Sequence, residues 1–273
     1  MARLDQYYTH RHVAQVCLSK LNYDDYDVIV EPSAGDGSFF DFLPADKRVG
    51  IDLKPAGVFI QTGNFFDWKF DSNKKYLVVG NPPFGKNSSM AKKFFNHAAE
   101  FADTIAFILP RTFRKISVIN QLDNQFLLEH EEILPKDSFY LPDGQACDIP
   151  CIFQIWKRGD YQRNKIFLPT THDDFSFVKK ELADFAIRRV GVRAGKVFLD
   201  FGKCSVPSHY FIKQHNKFVA NIFENLWHTK WNYKADRAKI SSKWDTAGNP
   251  SLAKTELIEA YTQQIRGRDE KDL

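Results

Sequence analysis

The stretch Asp27-Val28-Ile29-Val30-Glu31-Pro32-Ser33-Ala34-Gly35-Asp36-Gly37 decides the fold. Its first half is a short run of β-branched residues, which reads as a buried strand. Pro32 ends that strand, and small residues follow. Glycine at 35 and 37 lets the chain turn sharply and lets a ligand approach the backbone closely. Ser38 to Leu43 reads as the start of a helix, whose first N–H groups would face the turn and favour an anionic or polar ligand. The loop is not the G-x-G-x-x-G of a dinucleotide fold, because Ser38-Phe39-Phe40 follow Gly37. Taken alone, Gly-x-Gly reads first as a tight strand-to-helix turn. Its surroundings say more. Val49-Gly50-Ile51-Asp52 reads as a second strand ending in an acid, and in nucleotide-binding sheets an acid there accepts hydrogen bonds from ribose hydroxyls.

Working outward, residues 10 to 22 read as a helix with Val13, Val16, Cys17 and Leu21 on one face. Val58-Phe59-Ile60 suggests a short third strand, and Tyr76 to Gly80 a further one. Ser89 to Phe101 has the spacing of an amphipathic helix, and Thr104 to Leu109 that of a buried strand. Phe126 to Ile133 and Ile152 to Trp156 read as strands with no helix between them, so one edge of the sheet is expected to be antiparallel. Strands alternating with helices imply an α/β fold, Rossmann-like, with a mostly parallel sheet.

Beyond about residue 160 the texture changes. Lys, Arg and His become more frequent and the periodicity less regular. Phe185 to Phe201 suggests strands and tight turns at Gly191 and Gly195, whereas 217–231 and 251–265 read as helices. The expected organisation is a main domain over 1–165, a smaller C-terminal region over 166–265 that recognises a target or serves as an accessory, and a charged tail over 266–273.

Composition narrows the class without choosing a function. The 273 residues suit one large domain with an appendage. The 25 phenylalanines supply a core and leave rings available for stacking. A net charge of +4 permits a polyanionic partner without demanding one. Cys17, Cys147, Cys151 and Cys204 fall at no zinc-site spacing, so reduced thiols and no metal are expected. No signal peptide, transit peptide or membrane span is recognised, and a soluble cytoplasmic protein is expected. His10, His12, His97 and His130 show no ligand spacing, and none is assigned chemistry.

Asn81-Pro82-Pro83-Phe84, which ends the Tyr76–Gly80 strand, is the more specific signal. Two prolines stop the strand and stiffen the turn. They could mark a strand end with no chemistry. Their chemical reading concerns an amine attached to a planar ring, whose lone pair is delocalised. If the Asn81 side-chain oxygen and the Pro82 carbonyl each accept one N–H, the nitrogen is drawn toward tetrahedral geometry and its lone pair can face a sulfonium methyl group. The same acceptors stabilise the positive charge that develops. Phe84 offers a face for the target ring.

Together, Asp5-Gln6-Tyr7-Tyr8-Thr9, the Glu31–Gly37 loop and Asn81-Pro82-Pro83-Phe84, in that order, resemble the class I amino-methyltransferases, and among them the gamma class of N6-adenine DNA methyltransferases. The resemblance covers about residues 4–158. It implies a seven-stranded methyltransferase sheet and S-adenosylmethionine as cofactor. Tyr8 and Thr9 would lie near the methionine part, with Glu31, Ser33, Gly35 and Gly37 in the loop around it, and Asp52 on the ribose. The family usually carries an acid before the aromatic near the cofactor adenine; here the segment reads Gly63-Asn64-Phe65, with Asn64 in the acid's place. Phe65 fits either the cofactor or the core. A second aromatic wall is expected from Phe139, with Tyr140 as the alternative.

Basic groups extend this reading. Lys86, Arg111, Arg114 and Lys115 are read as contacts to phosphates beside a flipped nucleotide, with a solvated basic loop as the alternative. Arg188, Arg189, Arg193 and Lys196 suggest either a recognition hairpin or ordinary surface. The expected reaction is methylation of the adenine N6 amine in DNA, aided by a dimer or partner subunit if the small C-terminal region does not suffice. RNA adenine is the first alternative. A protein glutamine is the second, disfavoured because Phe84 stands where that chemistry usually has Tyr. A catalytically dead nucleic-acid-binding scaffold is the third.

Overall fold

A computed structural model describes residues 7–228, 243–246 and 249–269. Asp5-Gln6, the end of the 217–231 helix and the last residues of the tail lie outside the described residues. The chain divides into two compact units, Met1–Phe113 with Ser117–Lys165, and Arg114–Ile116 with Ile166–Leu273.

In the first unit, β1 (Tyr8–Thr9) and α1 (Arg11–Leu18) precede β2 (Val28–Glu31). Then come β3 (Arg48–Asp52), β4 (Gln61–Thr62), β5 (Tyr76–Gly80), α2 (Ser89–Ala98) and β6 (Thr104–Pro110). A short helix α3 (Ile116–Ile119) leads to β7 (Phe126–Ile133), β8 (Phe139–Tyr140), β9 (Ala146–Cys147) and β10 (Cys151–Arg158). Among the described residues, seven strands form one sheet in the order β4-β3-β2-β5-β6-β10-β7. The first five run parallel, and β10 pairs antiparallel with both β6 and β7. This is the expected Rossmann-like α/β sheet with an antiparallel edge.

The central strands are covered on both faces, as parallel strands are. In β5, Val78 faces one core cluster with Phe95, Phe107 and Trp156. Leu77 and Val79 face the other, with Val13, Ile108 and Phe153. Each such side chain contributes about 1.5–3 kcal/mol of burial.

Three local expectations shift. The buried face of α1 is Val13, Ala14, Cys17 and Leu18, while Val16 is 49% exposed. The expected helix after Gly37 is one 3-10 turn, Phe40–Phe42, before Pro44, and Arg48 Nη1 donates to the carbonyls of Phe40 and Asp41. The third strand forms at Gln61–Thr62 rather than 58–60, because Phe59 adopts φ 64° and breaks the extended run.

The second unit carries an antiparallel sheet in the order β11-β14-β12-β13, from β11 (Phe175–Phe177), β12 (Phe185–Arg188), β13 (Val197–Phe198) and β14 (His209–Gln214). Helices α4 (Val219–His228) and α5 (Lys254–Asp269) join Phe175, Phe185 and Ile212 in its core, around Phe223 and Tyr261.

Candidate active site at the carboxyl edge of the sheet

Strand order reverses between β2 and β5, where ligands bind in open α/β sheets. The register Val28↔Tyr76 and Val30↔Val78 brings Glu31 and Gly80 to the edge side by side. The loop after β2 and the tetrapeptide after β5 are therefore neighbours. Ser33 Oγ donates to the Asn81 carbonyl at 3.2 Å, a direct link between them.

The glycine loop is held by the protein itself. Gly35 N donates to Asp52 Oδ2 at 2.9 Å, and the Gly35 carbonyl accepts the amide of Ala56 at 2.8 Å. Asp52 Oδ1 accepts the Lys54 amide at 2.7 Å. Gly35 has φ 53°, and a Cβ on it would lie 3.0 Å from Tyr8 Cε1, so a side chain there meets both backbone strain and the Tyr8 ring. Asp36 Oδ1 accepts the Ser38 amide and hydroxyl, and its Oδ2 accepts the Tyr140 hydroxyl in a short bond.

β1 pairs antiparallel with β8, placing Tyr8 opposite Tyr140 and Thr9 opposite Phe139. The Tyr8 and Tyr140 rings lie 5.6 Å apart, so two tyrosines border the loop. Burial, and then the Asp36 bond and charge, push the Tyr140 hydroxyl up to about 12. Burial followed by the Asp36 and Asp52 charges raises Tyr8. Thr9 plays a part that its sequence position does not suggest: its Oγ1 accepts a hydrogen bond from Asn81 Nδ2 at 3.1 Å.

That bond fixes the Asn81 amide. Its carbonyl end, Oδ1, is buried and has no hydrogen-bond partner. Buried polar atoms are rarely left so, and an orphan acceptor demands an explanation. Glu31 presents a second one. Its carboxyl is 3% exposed, and Oε2 has no partner. Burial, reinforced by Asp36, Asp52 and Asp41 and opposed by the Phe40 amide, holds its pKa well above the carboxylate range. That environment favours the protonated form, which can donate as well as accept. Gly80 makes room for it, since a Cβ there would lie 3.0 Å from Glu31 Cγ.

Pro82 is buried, and Phe84 is half-buried against both core clusters. The Phe84 carbonyl accepts the amides of Met90 and Ala91 at the start of α2. Between them, Asn87 and Ser88 both take left-handed φ values (54° and 58°), and the Ser88 hydroxyl bonds Thr112 Oγ1 at 2.7 Å. Strained backbone of this kind persists where surrounding contacts over-determine it. Lys86 on this loop is exposed. Arg111, directly after β6, has a buried Nε with no partner.

Other predicted site residues are engaged elsewhere. Phe65 is 2% exposed and stacks on Phe94, with the His97 edge against it. Asn64 accepts the Phe66 amide as a cap and donates Nδ2 to Asp67 Oδ2 at 3.0 Å. Phe139 is 1% exposed within the second core cluster, and the half-buried ring at the loop belongs to Tyr140. Arg114 and Lys115 fall in the second unit, paired there with Asp245 and Glu256 at 3.0 Å each. Sequence reasoning missed Asp36, whose bonds lie in the tertiary contacts, and Leu53, an exposed apolar side chain directly after Asp52.

No family model matches the chain. It is similar to the protein ENHANCED DOWNY MILDEW 2 of Arabidopsis thaliana, 28% identical over 184 residues. That alignment covers 57% of this chain and 14% of the plant protein, so the chain spans about one seventh of its relative. Among solved structures, a protein of Pyrococcus horikoshii assigned as an RNA methyltransferase matches 57% of this chain and 89% of its own (TM-score 0.44, 16% identity). The modification subunit assigned to a type I restriction enzyme of Vibrio vulnificus YJ016 matches 56% and 44% (0.45, 14%). The 23S rRNA methyltransferase ErmE matches 96% and 100% (0.42, 9%).

Proposed function

We propose that this chain is an S-adenosylmethionine-dependent methyltransferase acting on the exocyclic N6 amine of adenine in DNA, with the base flipped out of the duplex. The observation that carries this reading is Asn81: a buried, unpartnered carbonyl oxygen whose amide cannot turn away, because Nδ2 is held by Thr9 and the backbone carbonyl by Ser33. An orphan acceptor at a topological switch point suits a ligand that brings an N–H.

The residues fit the cofactor chemically. Tyr8, the loop around Ser33, Gly35 and Gly37, and the buried Glu31 would hold its amino-acid part. Asp52 keeps acceptor capacity for ribose hydroxyls beyond the two amides it already binds. Leu53 offers an apolar face beside it. When bound, the cofactor supplies an electrophilic methyl group on a sulfonium.

The chain's own residues do the rest. Asn81 Oδ1 and the Pro82 carbonyl accept the two amine hydrogens, orient the nitrogen lone pair and stabilise the charge that grows on it. The buried Pro82 keeps the two acceptors in fixed relation. Phe84 and Tyr140 are the rings available to the target base. Lys86 and Arg111 would hold phosphates of the flipped nucleotide; Arg114 is left out, since Asp245 holds it. The region 1–165 would carry catalysis, and 166–265 would serve recognition.

Methyl transfer from a labelled cofactor to DNA, RNA and protein fractions tests the proposal. Label in DNA adenine is expected. Label in RNA or in protein glutamine would replace the substrate. Tight cofactor binding with no label in any fraction would leave only a binding scaffold.

A further inference from the structure

The second unit holds a cavity of about 390 Å³ that the catalytic reading does not use. Arg188, Arg193 and Lys203 line it, with Phe198, His209 and Asp200. Its volume lies in the range of small-ligand sites.

The charges in it are unbalanced. Three cations face one carboxylate. Asp200 spends Oδ1 on the Gly202 amide, and among the described residues no acidic group pairs with Arg188, Arg193 or Lys203. Arg188 is anchored, because its Nε donates to the Val190 carbonyl at 3.0 Å, which leaves the outer guanidinium nitrogens to other partners. The walls are of low polarity: Val190, Val192, Phe198 and the buried Cys204. Cations in an apolar concavity focus positive potential more strongly than the same charges on a convex surface.

His209 is 6% exposed, donates from Nδ1 to the Ser205 carbonyl at 3.0 Å, and lies edge-on to the Phe198 ring at 5.4 Å. Burial, then the Arg188 and Lys180 charges, lower its pKa. Gly191 lines the cavity at φ 85° with open space on the side where a Cβ would project, so bare backbone faces a ligand. The sequence Arg188-Arg-Val-Gly-Val-Arg193 places both arginines at this turn.

We infer that this cavity is a nucleotide-phosphate site: Arg188, Arg193 and Lys203 bind the phosphate, the Val192–Phe198 side takes the sugar or base, and Asp200 accepts from a hydroxyl or amine. Arginine forks match phosphate oxygens in pairs, which a lysine patch does not do. The inference does not rest on methyl transfer.

The test uses the full chain and a labelled single-stranded oligonucleotide, with AMP, adenosine and inorganic phosphate as competitors. Arg193→Ser and Lys203→Ser, both at exposed positions, are each expected to weaken the oligonucleotide or AMP by about tenfold and to lower the salt slope by about one unit. Lys217→Gln, an exposed lysine outside the cavity, is expected to change neither. AMP should compete and adenosine should not. If AMP binds as strongly as the oligonucleotide, the source is a free nucleotide; if AMP competes but the oligonucleotide binds far more tightly through these residues, it is a strand phosphate. Equal effects from Lys217→Gln, or no effect from either serine variant at unchanged melting temperature, would overturn the site. Asn81→Ala separates the two proposals, since it should abolish methyl transfer and leave this binding intact.

Discussion

Thr9→Val is the most instructive single perturbation. Thr9 is 3% exposed, and its Oγ1 is the acceptor for Asn81 Nδ2. Valine keeps the shape and removes the oxygen. The Asn81 amide then has an unsatisfied donor at one end and an orphan acceptor at the other. An unsatisfied buried donor costs about 1–3 kcal/mol. The amide can relieve that cost by rotating, which removes Oδ1 from the reacting nitrogen. If the penalty falls on the competent orientation, kcat drops by roughly 5- to 160-fold. Thr9→Ser keeps the oxygen and should stay within about threefold of the parent. The assay is single-turnover methyl transfer, with thermal melting run on the same samples. A Thr9→Val protein with kcat within twofold of the parent and cofactor affinity unchanged would refute the idea that Thr9 positions Asn81.

Three further outcomes follow from the geometry. Gly35→Ala forces a side chain into φ 53° and against Tyr8, so calorimetry should show cofactor affinity lowered by about 5- to 30-fold, from a strain of about 1–2 kcal/mol. Glu31 has a folded pKa raised above its ordinary 4.5, so the folded state holds a proton that the unfolded chain releases. Its contribution is full below about pH 4.5 and is lost as pH rises toward the folded value. Glu31→Gln, neutral throughout, should therefore gain melting temperature over the parent as pH increases, and a gap that is constant or shrinks with pH would contradict the assignment. Phe95→Ala empties a fully buried site edge-on to Phe126 and Trp156, and should destabilise the first unit by about 3–5 kcal/mol in urea titration.

Much of the sheet is legible because its signal is local. The apolar run Tyr76–Gly80 and the acid at the end of Val49–Asp52 mark strands that exist where the residues say. Backbone exceptions are harder to see. Phe59 sits in a run that favours extension, yet takes a left-handed φ, and the strand starts later. The helix expected after Gly37 shrinks to a turn, because Pro44 has no amide N–H to extend it and the Phe40 and Asp41 carbonyls accept from the Arg48 guanidinium.

The site shows the same division. Asn81 and the glycines are picked out as candidates by residue type and order. The bond from Thr9 to Asn81 spans 72 positions and depends on β1 pairing with β8, so no spacing rule reveals it. The same pairing sets Phe139 and Tyr140 in different surroundings. Neighbours on a strand point to opposite faces, and here Phe139 faces the core while Tyr140 reaches Asp36. Asn64 stands where an acid was expected, and its side chain caps the turn beginning at Phe65.

The central claim is that the Asn81 carbonyl oxygen orients an adenine amine for methylation. Its most direct test compares the parent and Asn81→Ala by mass spectrometry of nucleosides, after incubation of DNA with methyl-labelled cofactor. The account predicts labelled N6-methyladenine from the parent and a loss of at least about 100-fold in Asn81→Ala, with cofactor affinity retained. Labelled N6-methyladenine from Asn81→Ala at the parent's rate would contradict it.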